Sequence, residues 1–163
     1  MSVENPAHTS TWPDLAGRLS ETAAGHVHTL PVRVYFEDTD FSGLVYHASY
    51  VRWCERGRSD FLRLIGNDHH ALMQGTETSE PAAFVVRRMQ LEYLKAARID
   101  DVLEVTTRVK ELGAASLVLD QRISRNDIQL FEAAVTVVLV SRSGRVLRLT
   151  KALRSAMSKP AIA

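Results

Sequence analysis

The chain has 163 residues, of which 45% are hydrophobic and 24% are charged, and its net charge is +1. This length suits one domain with a single core, and the near-neutral charge argues against a general nucleic-acid binder, which needs a concentrated excess of Lys and Arg. The single cysteine excludes an intrachain disulfide and a cysteine-rich zinc site, and it indicates a cytoplasmic location.

The first 29 residues are predicted to form a flexible tail. They contain prolines, serines, threonines and three histidines, but neither the basic start nor the apolar core of a signal peptide. A short helix from Pro13 to Glu21, with Leu15 and Leu19 facing inward, is also possible. The domain is expected to span residues 30 to 157, followed by a C-terminal tail over 158 to 163. No run of 18 apolar residues predicts a membrane span.

A strand, a turn and a long helix are predicted in succession at the start of the domain. Val32, Val34 and Phe36 alternate with other residues at the period of a strand that has one buried face. Turn-forming Asp, Thr, Ser and Gly residues follow at positions 38 to 43. From Tyr50 onward, apolar residues recur at the i, i+3, i+4, i+7 spacing of one helical face. The junction of turn and helix is therefore the most informative part of the sequence.

This junction has the residues that acyl transfer needs. A helix start leaves backbone N–H groups unpaired, here near His47 and Ala48, and these groups carry partial positive charge. Asp40 lies seven residues before His47, in the preceding turn. Amide donors of this kind hold a carbonyl oxygen, while a carboxylate attacks the carbonyl carbon or activates water. The arrangement predicts an acyl-transfer site.

Four long strands are predicted after the helix, over residues 82–95, 102–112, 114–124 and 130–141. The turns between them are short, so neighbouring strands must be antiparallel. A short edge strand over 146–149 and a terminal helix over 151–157 complete the chain. The expected fold class is α+β, with a curved antiparallel sheet of about five strands wrapped around one long central helix.

One stretch of sequence resembles a known family. EDTDFSGLVYHASYVRW, preceded by VRVYF and followed by FVVRRMQLEYL and ARIDDVLEV, closely resembles the Tol-Pal-associated (YbgC-type) acyl-CoA thioesterases, a branch of the 4-hydroxybenzoyl-CoA thioesterase group. The resemblance covers residues 31 to 141. It implies the hotdog fold, active sites between paired subunits, and a homodimer or homotetramer. It also implies hydrolysis of acyl-CoA to a free carboxylic acid and coenzyme A, without a metal or organic cofactor.

The resemblance also implies roles for individual residues. Asp40 matches the catalytic carboxylate, the second aspartate of the DTD triplet, and His47 matches the histidine associated with the active site. His47 would act through its ring or only through its backbone N–H, and Asp40 as nucleophile or as general base. The predicted substrate-binding residues are Phe36, Gly43, Tyr46, Ala48, Arg87 and Arg88. The candidates for the coenzyme A phosphates are Arg87, Arg88, Lys95 and Arg98.

Other reactive residue types are expected to be structural. Cys54 lies on the apolar face of the helix, so a buried thiol is expected rather than a nucleophile. Ser59 has no partner in the sequence pattern and no G-x-S-x-G motif occurs, which argues against a serine hydrolase. The histidines at positions 26, 28, 69 and 70 are expected in the tail or on the surface, without a metal.

Two other functions compete with hydrolysis. The first is a non-catalytic protein of the Tol-Pal or lipid-synthesis machinery that only binds an acyl thioester or acts as a scaffold. Asp40 argues against it, because a binding protein gains nothing from a carboxylate beside an acyl carbonyl. The second is a hotdog dehydratase, which would need a different arrangement of His and acid. The acyl carrier, coenzyme A or acyl carrier protein, is left open, as is the acyl chain length.

Overall fold

The computed structural model describes residues 16–23, 25–67, 69–77 and 79–158. The strands are β1 Arg18–Thr22, β2 Gly25–Arg33, β3 Ala82–Tyr93, β4 Val102–Leu112, β5 Ser116–Arg125 and β6 Ile128–Ser141. The helices are α1 His47–Leu64, α2 His69–Gln74 and α3 Lys151–Ser158, with a 3₁₀ turn at Phe36–Asp38. In these residues no helix is both long enough and apolar enough to cross a membrane.

The six strands form one antiparallel sheet in the order β1-β2-β4-β5-β6-β3. This arrangement confirms the predicted α+β class and the antiparallel sheet around one long helix. β3 follows α1 in the chain but pairs with β6, the last strand, so it lies at an edge of the sheet. Its register shifts between Val86 and Arg88, which leaves Arg87 as the extra residue of a bulge.

The helix α1 packs on the sheet through its apolar face. The buried residues recur with helical spacing and include Tyr50, Trp53, Cys54 and Phe61. Gly57 lies where α1 approaches the sheet most closely, because a Cβ atom there would lie 3.0 Å from the side-chain oxygen of a buried threonine of β4. Glycine at this position therefore sets the distance between helix and sheet.

A buried hydrogen-bond network joins α1 to the sheet beside this contact. Gln121 of β5 is fully buried. Its Nε2 donates to the Cys54 carbonyl at 2.9 Å and to the Thr107 hydroxyl at 2.8 Å. Its Oε1 accepts a hydrogen bond from Arg58 Nη1 at 2.8 Å. Both the nitrogen and the oxygen of this side-chain amide are thus hydrogen-bonded, as is usual for a buried polar group.

The N-terminal hairpin corrects the predicted tail. Residues 18–22 form β1 and residues 25–29 belong to β2 rather than to a flexible segment, and residues 18–21 are strand rather than helix. The first fifteen residues lie outside the described part of the chain. His28, expected in the tail, is fully buried, and its Nε2 lies 2.8 Å from Asp60 Oδ2 on α1. A polar sequence is ordered here because α1 supplies the partner for a buried imidazole.

The predicted strand over residues 32–37 is only partly correct. Val32 and Val34 are buried as expected, but β2 ends at Arg33. Phe36 lies in the 3₁₀ turn, and 82% of it is exposed. The chain turns early because a carboxylate oxygen of Asp38 accepts a hydrogen bond from the backbone N–H three residues before it, at 2.9 Å.

The C-terminal part of the chain agrees with the prediction except for one element. The four long strands and the terminal helix are present within a few residues of their predicted bounds. The predicted edge strand over 146–149 is wrong, because only a single bridge forms, between Val146 and Val140. Gly144, at a φ of 84°, turns the chain after β6, and within the described part of the chain the returning segment adds only two backbone hydrogen bonds to β6, from the Ser141 N–H to the Arg145 carbonyl and from the Leu147 N–H to the Leu139 carbonyl.

Candidate active site

A tight turn places Asp40 in front of α1. The Asp40 N–H donates to the Leu44 carbonyl at 2.9 Å, and the Gly43 N–H donates to the Asp40 carbonyl at 3.0 Å. Gly43 has a φ of 76°, a conformation that suits glycine. The Tyr46 N–H then donates to the carbonyl of Asp38 at 2.8 Å, just before the helix begins. These bonds fix the turn against the helix start.

The Asp40 carboxylate is exposed and is held by Ser42. Oδ1 accepts hydrogen bonds from the Ser42 hydroxyl at 2.5 Å and from the Ser42 N–H at 2.8 Å. These two bonds, the hydroxyl first, lower the pKa of Asp40 below the usual aspartate value. Asp40 is therefore a carboxylate at neutral pH.

The first turn of α1 has free amide donors. Tyr46 precedes the helix and its side chain makes no capping hydrogen bond. The Ser49 N–H donates to the Tyr46 carbonyl at 2.8 Å, whereas the N–H groups of His47 and Ala48 donate to no acceptor within the described ranges. Two amides with partial positive charge are thus available to an oxygen atom that approaches the helix start.

A cleft of about 330 Å³ brings the two predicted catalytic residues together. Asp40, Ser42 and His47 line it. The opposite wall includes Tyr93, the last residue of β3, and Lys95. The Tyr93 hydroxyl donates to the His47 carbonyl at 3.0 Å, and the Tyr93 ring meets the His47 ring edge-on with 6.5 Å between centroids.

Tyr93 was not among the predicted site residues. Its hydrogen bond joins residues 46 positions apart, so no local spacing reveals it. Its position at the end of a predicted strand, two residues before Lys95, was the available signal. Lys95 contributes a positive charge to the cleft wall.

The predicted substrate-binding residues near the helix lie around the cleft rather than in its lining. Gly43 closes the turn that carries Asp40. The Tyr46 ring lies 4.4 Å from the His47 ring, and 43% of Tyr46 is exposed. Ala48 is half-buried at the helix start, and Phe36 is exposed in the 3₁₀ turn.

The two arginines predicted to bind phosphate are farther away. Arg87 and Arg88 are exposed at the bulge of β3, and neither lines the cleft. Arg88 lies five positions before Tyr93 on β3, and an extended strand of this length spans about 16 Å. The structure therefore does not bring them together with Asp40 within one subunit.

The other reactive residues differ in how well the structure matches their predictions. Cys54 is fully buried, and burial raises the pKa of its thiol to about 12, as suits a structural thiol. Ser59 does have partners, contrary to the prediction, because its hydroxyl donates to Glu55 Oε1 at 2.7 Å and lies 3.1 Å from His69 Nε2. These contacts arise from the helical spacing of residues 55 and 59 and from the packing of α2 on α1.

Across the described ranges, no group of three His, Cys, Asp or Glu residues could hold a metal ion.

Comparison with known proteins identifies related sequences and structures. Residues 42–132 match the model of the thioesterase superfamily. The acyl-CoA thioester hydrolase YbgC of Escherichia coli O6:H1 is 49% identical over 111 residues, which cover 68% of this chain and 79% of that protein. The acyl-CoA thioesterase YbgC of Haemophilus influenzae is 40% identical over 69% of this chain and 79% of its own length. The crystal structure of a probable thioesterase from Bartonella henselae has a TM-score of 0.73 at 40% identity, over 76% of this chain and 99% of that chain.

Proposed function

Because the chain belongs to the thioesterase superfamily, among the acyl-CoA thioesterases of the YbgC type, we propose that it hydrolyses acyl-CoA in the cleft that contains Asp40. The products are a free carboxylic acid and coenzyme A. One observation supports this site above all: an ionised carboxylate and two free helix-start amides lie together at the N-terminal end of α1. This combination suits the cleavage of an acyl bond.

The amides of His47 and Ala48 are proposed to bind the thioester carbonyl oxygen. Negative charge develops on this oxygen when the carbonyl carbon is attacked, and the two N–H groups stabilise it without having to reorganise. Removing one such donor from a hydrolase typically costs about 3 kcal/mol of transition-state stabilisation. The exposed position of the helix start gives the carbonyl oxygen access to both groups.

Asp40 is proposed to act on the carbonyl carbon or on water. As a nucleophile, its carboxylate would displace the coenzyme A thiolate and form an anhydride, which water then hydrolyses. As a general base, it would take a proton from a water molecule that attacks the carbonyl, and the thiolate would leave and be protonated. Both routes need the ionised carboxylate that Ser42 favours.

His47 is proposed to support Asp40 in one of two ways. Its ring lies in the same cleft and would orient the carboxylate or the attacking water. In the other case only its N–H acts, and the ring serves as packing against Tyr46 and Tyr93. Replacement by alanine separates the two, because it removes the ring and keeps the N–H.

The coenzyme A and subunit contacts are proposals as well. Lys95 in the cleft wall suits an anionic group, whereas Arg87 and Arg88 would bind phosphate only on substrate that extends along β3. A homodimer is proposed to form through the free edge of β3, and a homotetramer could be built from two such dimers. The cytoplasmic location stays a prediction.

The test is thiol release from a panel of short, long and aromatic acyl-CoAs. Asp40→Asn keeps an oxygen for the Ser42 hydrogen bonds but removes the charge, so we expect turnover to fall by about 10² or more while the fold is kept. Asp127→Asn is the matched control, because Asp127 is an exposed turn aspartate with a φ of 64°, which asparagine accepts. Equal activity in the wild type and Asp40→Asn would overturn the proposed role of Asp40. No thiol release from any acyl-CoA by the wild type would favour an acyl-thioester-binding scaffold instead.

A further inference from the structure

A second cavity, of about 130 Å³, lies between α1 and the sheet. It shares no lining residue with the cleft of Asp40. Its walls are mostly apolar and come from α1, α2, α3, β3, β5 and β6, and the apolar lining includes Phe61 of α1, Phe84 of β3, Leu119 of β5 and Met157 of α3. Arg58 also lines it, and we call it the Arg58 cavity.

Arg58 is a cation with an incomplete set of partners. Its guanidinium has five N–H donors, and the one acceptor it contacts within the described ranges is the neutral Oε1 of Gln121. No carboxylate in those ranges forms an ion pair with it. Burial lowers the pKa of Arg58, which reflects the loss of water around its charge. A half-buried guanidinium without a paired carboxylate favours an anionic ligand.

Three further polar side chains line the same cavity, and they do not neutralise Arg58. Glu55 is exposed, and its Oε1 accepts the Ser59 hydroxyl at 2.7 Å. His69 Nε2 lies 3.1 Å from the Ser59 hydroxyl. Glu55 does act on the charge of Arg58, but its effect is smaller than that of burial. The hydrogen bonds of these three residues run among themselves rather than to the guanidinium.

We propose that the Arg58 cavity binds small carboxylates that carry an apolar body of about six carbon atoms. The carboxylate pairs with the guanidinium of Arg58, and the apolar body contacts Phe61, Phe84, Leu119 and Met157. The size follows from the volume, because an apolar cavity of about 150 Å³ holds a benzene molecule. The site does not depend on the proposed hydrolysis, since it contains neither Asp40 nor the start of α1.

Methyl NMR of the wild-type protein tests this proposal directly. The chain has four methionines, of which Met157 lines the cavity and Met73, exposed on α2, does not. With ¹³C-methyl methionine, we expect hexanoate to shift the Met157 signal and leave the Met73 signal in place. Hexanoate should bind at least about tenfold more tightly than 1-hexanol, which has the same number of carbon atoms but no charge. Equal affinities for the two probes, or no shift of Met157 with hexanoate, would overturn the proposal.

Two variants assign the effect to Arg58. Arg58→Met should weaken hexanoate binding at least about tenfold and leave 1-hexanol binding within about twofold. Arg56→Met is the matched control, because Arg56 is exposed on the same helix and does not line the cavity. Unchanged hexanoate affinity in a folded Arg58→Met protein would also contradict the proposal. If Arg58→Met fails to fold, the comparison of hexanoate with 1-hexanol in the wild type decides.

Discussion

The Ser42 hydroxyl controls the protonation of Asp40. Its hydrogen bond is the largest cause of the lowered pKa of that carboxyl, and it also fixes the direction of Oδ1. The carboxylate is exposed, so this bond rather than burial determines its charge state. A single serine two residues along the chain thus extends, toward lower pH, the range over which the proposed catalytic group is ionised.

Replacing Ser42 should move the acid limb of the pH–rate profile. The wild-type limb should lie below the usual aspartate pKa of 3.8, because the proposed mechanism requires ionised Asp40 and the pKa of Asp40 is lowered. Ser42→Ala removes the hydroxyl bond and keeps the N–H bond, so the limb should move to higher pH, toward 3.8. Measurement of kcat/KM against pH checks this shift, with Ser143→Ala, another exposed turn serine, as the control. A limb that stays in place or moves to lower pH would argue against Asp40 as the titrating group.

The central helix depends on close contact with the sheet at Gly57. A Cβ atom at Gly57 would lie 3.0 Å from Thr107 Oγ1 and 3.2 Å from a methyl carbon of Val105, and both of these residues are fully buried. The atoms that would have to move belong to the packed sheet, and the buried hydrogen bonds of Gln121 are beside them. A larger side chain here would push the helix away from this network.

Gly57→Val should therefore destabilise the protein by about 1–3 kcal/mol, the usual cost of overpacking. Urea unfolding measures the change in the free energy of unfolding. Arg56→Val places the same side chain on the exposed face of α1, so it isolates the weak helix propensity of valine, which costs less than about 0.7 kcal/mol. Equal losses in the two variants would mean that the contact with Thr107 is not limiting.

The sequence predicted elements well where their partners are local or apolar. The four long strands follow from apolar runs and short turns, and α1 follows from helical spacing. The hairpin of β1 and β2 was not predicted, because its order depends on His28 and on Asp60, 32 residues later. The predicted position of Phe36 on the buried face of a strand was also wrong, since the side chain of Asp38 turns the chain there. A polar contact across the fold has no periodic signal in the sequence.

The candidate site follows the same rule. Asp40 and His47 were predicted from one continuous stretch, and the structure places them in one cleft. Tyr93 and the partners of Ser59 were missed, because they come from other elements that packing brings close. The distance of Arg87 and Arg88 from the cleft could not be predicted from the sequence either, since it depends on how β3 lies along the sheet.

At the scale of the whole molecule, β3 forms one edge of the described sheet, with no neighbouring strand on its outer side. β3 has twelve residues and pairs only with β6 within the described sheet. Val85, Val86 and Tyr93 are exposed apolar or aromatic residues on this strand. A long edge with unpaired backbone groups is a surface that pairs readily with another strand. This edge is where we expect the proposed homodimer to form.

Val85→Lys should weaken that dimer, because a charge at a strand edge opposes pairing. Sedimentation equilibrium should give about twice the 18.2 kDa chain mass for the wild type and a mass close to one chain for the variant at low micromolar concentration. Ile128→Lys is the control, since Ile128 is as exposed as Val85, 43% in each case. Ile128 is the first residue of β6 and lies beside the turn that joins β5 to β6, not on β3. A monomeric wild type, or the same dimer in both variants, would exclude pairing through β3.

The strand order also has a consequence for synthesis on the ribosome. β3 leaves the ribosome early, but the residues it pairs with, from Phe131 to Ser141, are among the last of the sheet to be made. At about 5–20 residues per second, the nascent chain carries an apolar, unpaired β3 for some seconds. Translation that stalls before β6 therefore leaves β3 without its partner strand and one side of β5 unpaired. The completion of the last strand is the step that protects the newly made chain from aggregation.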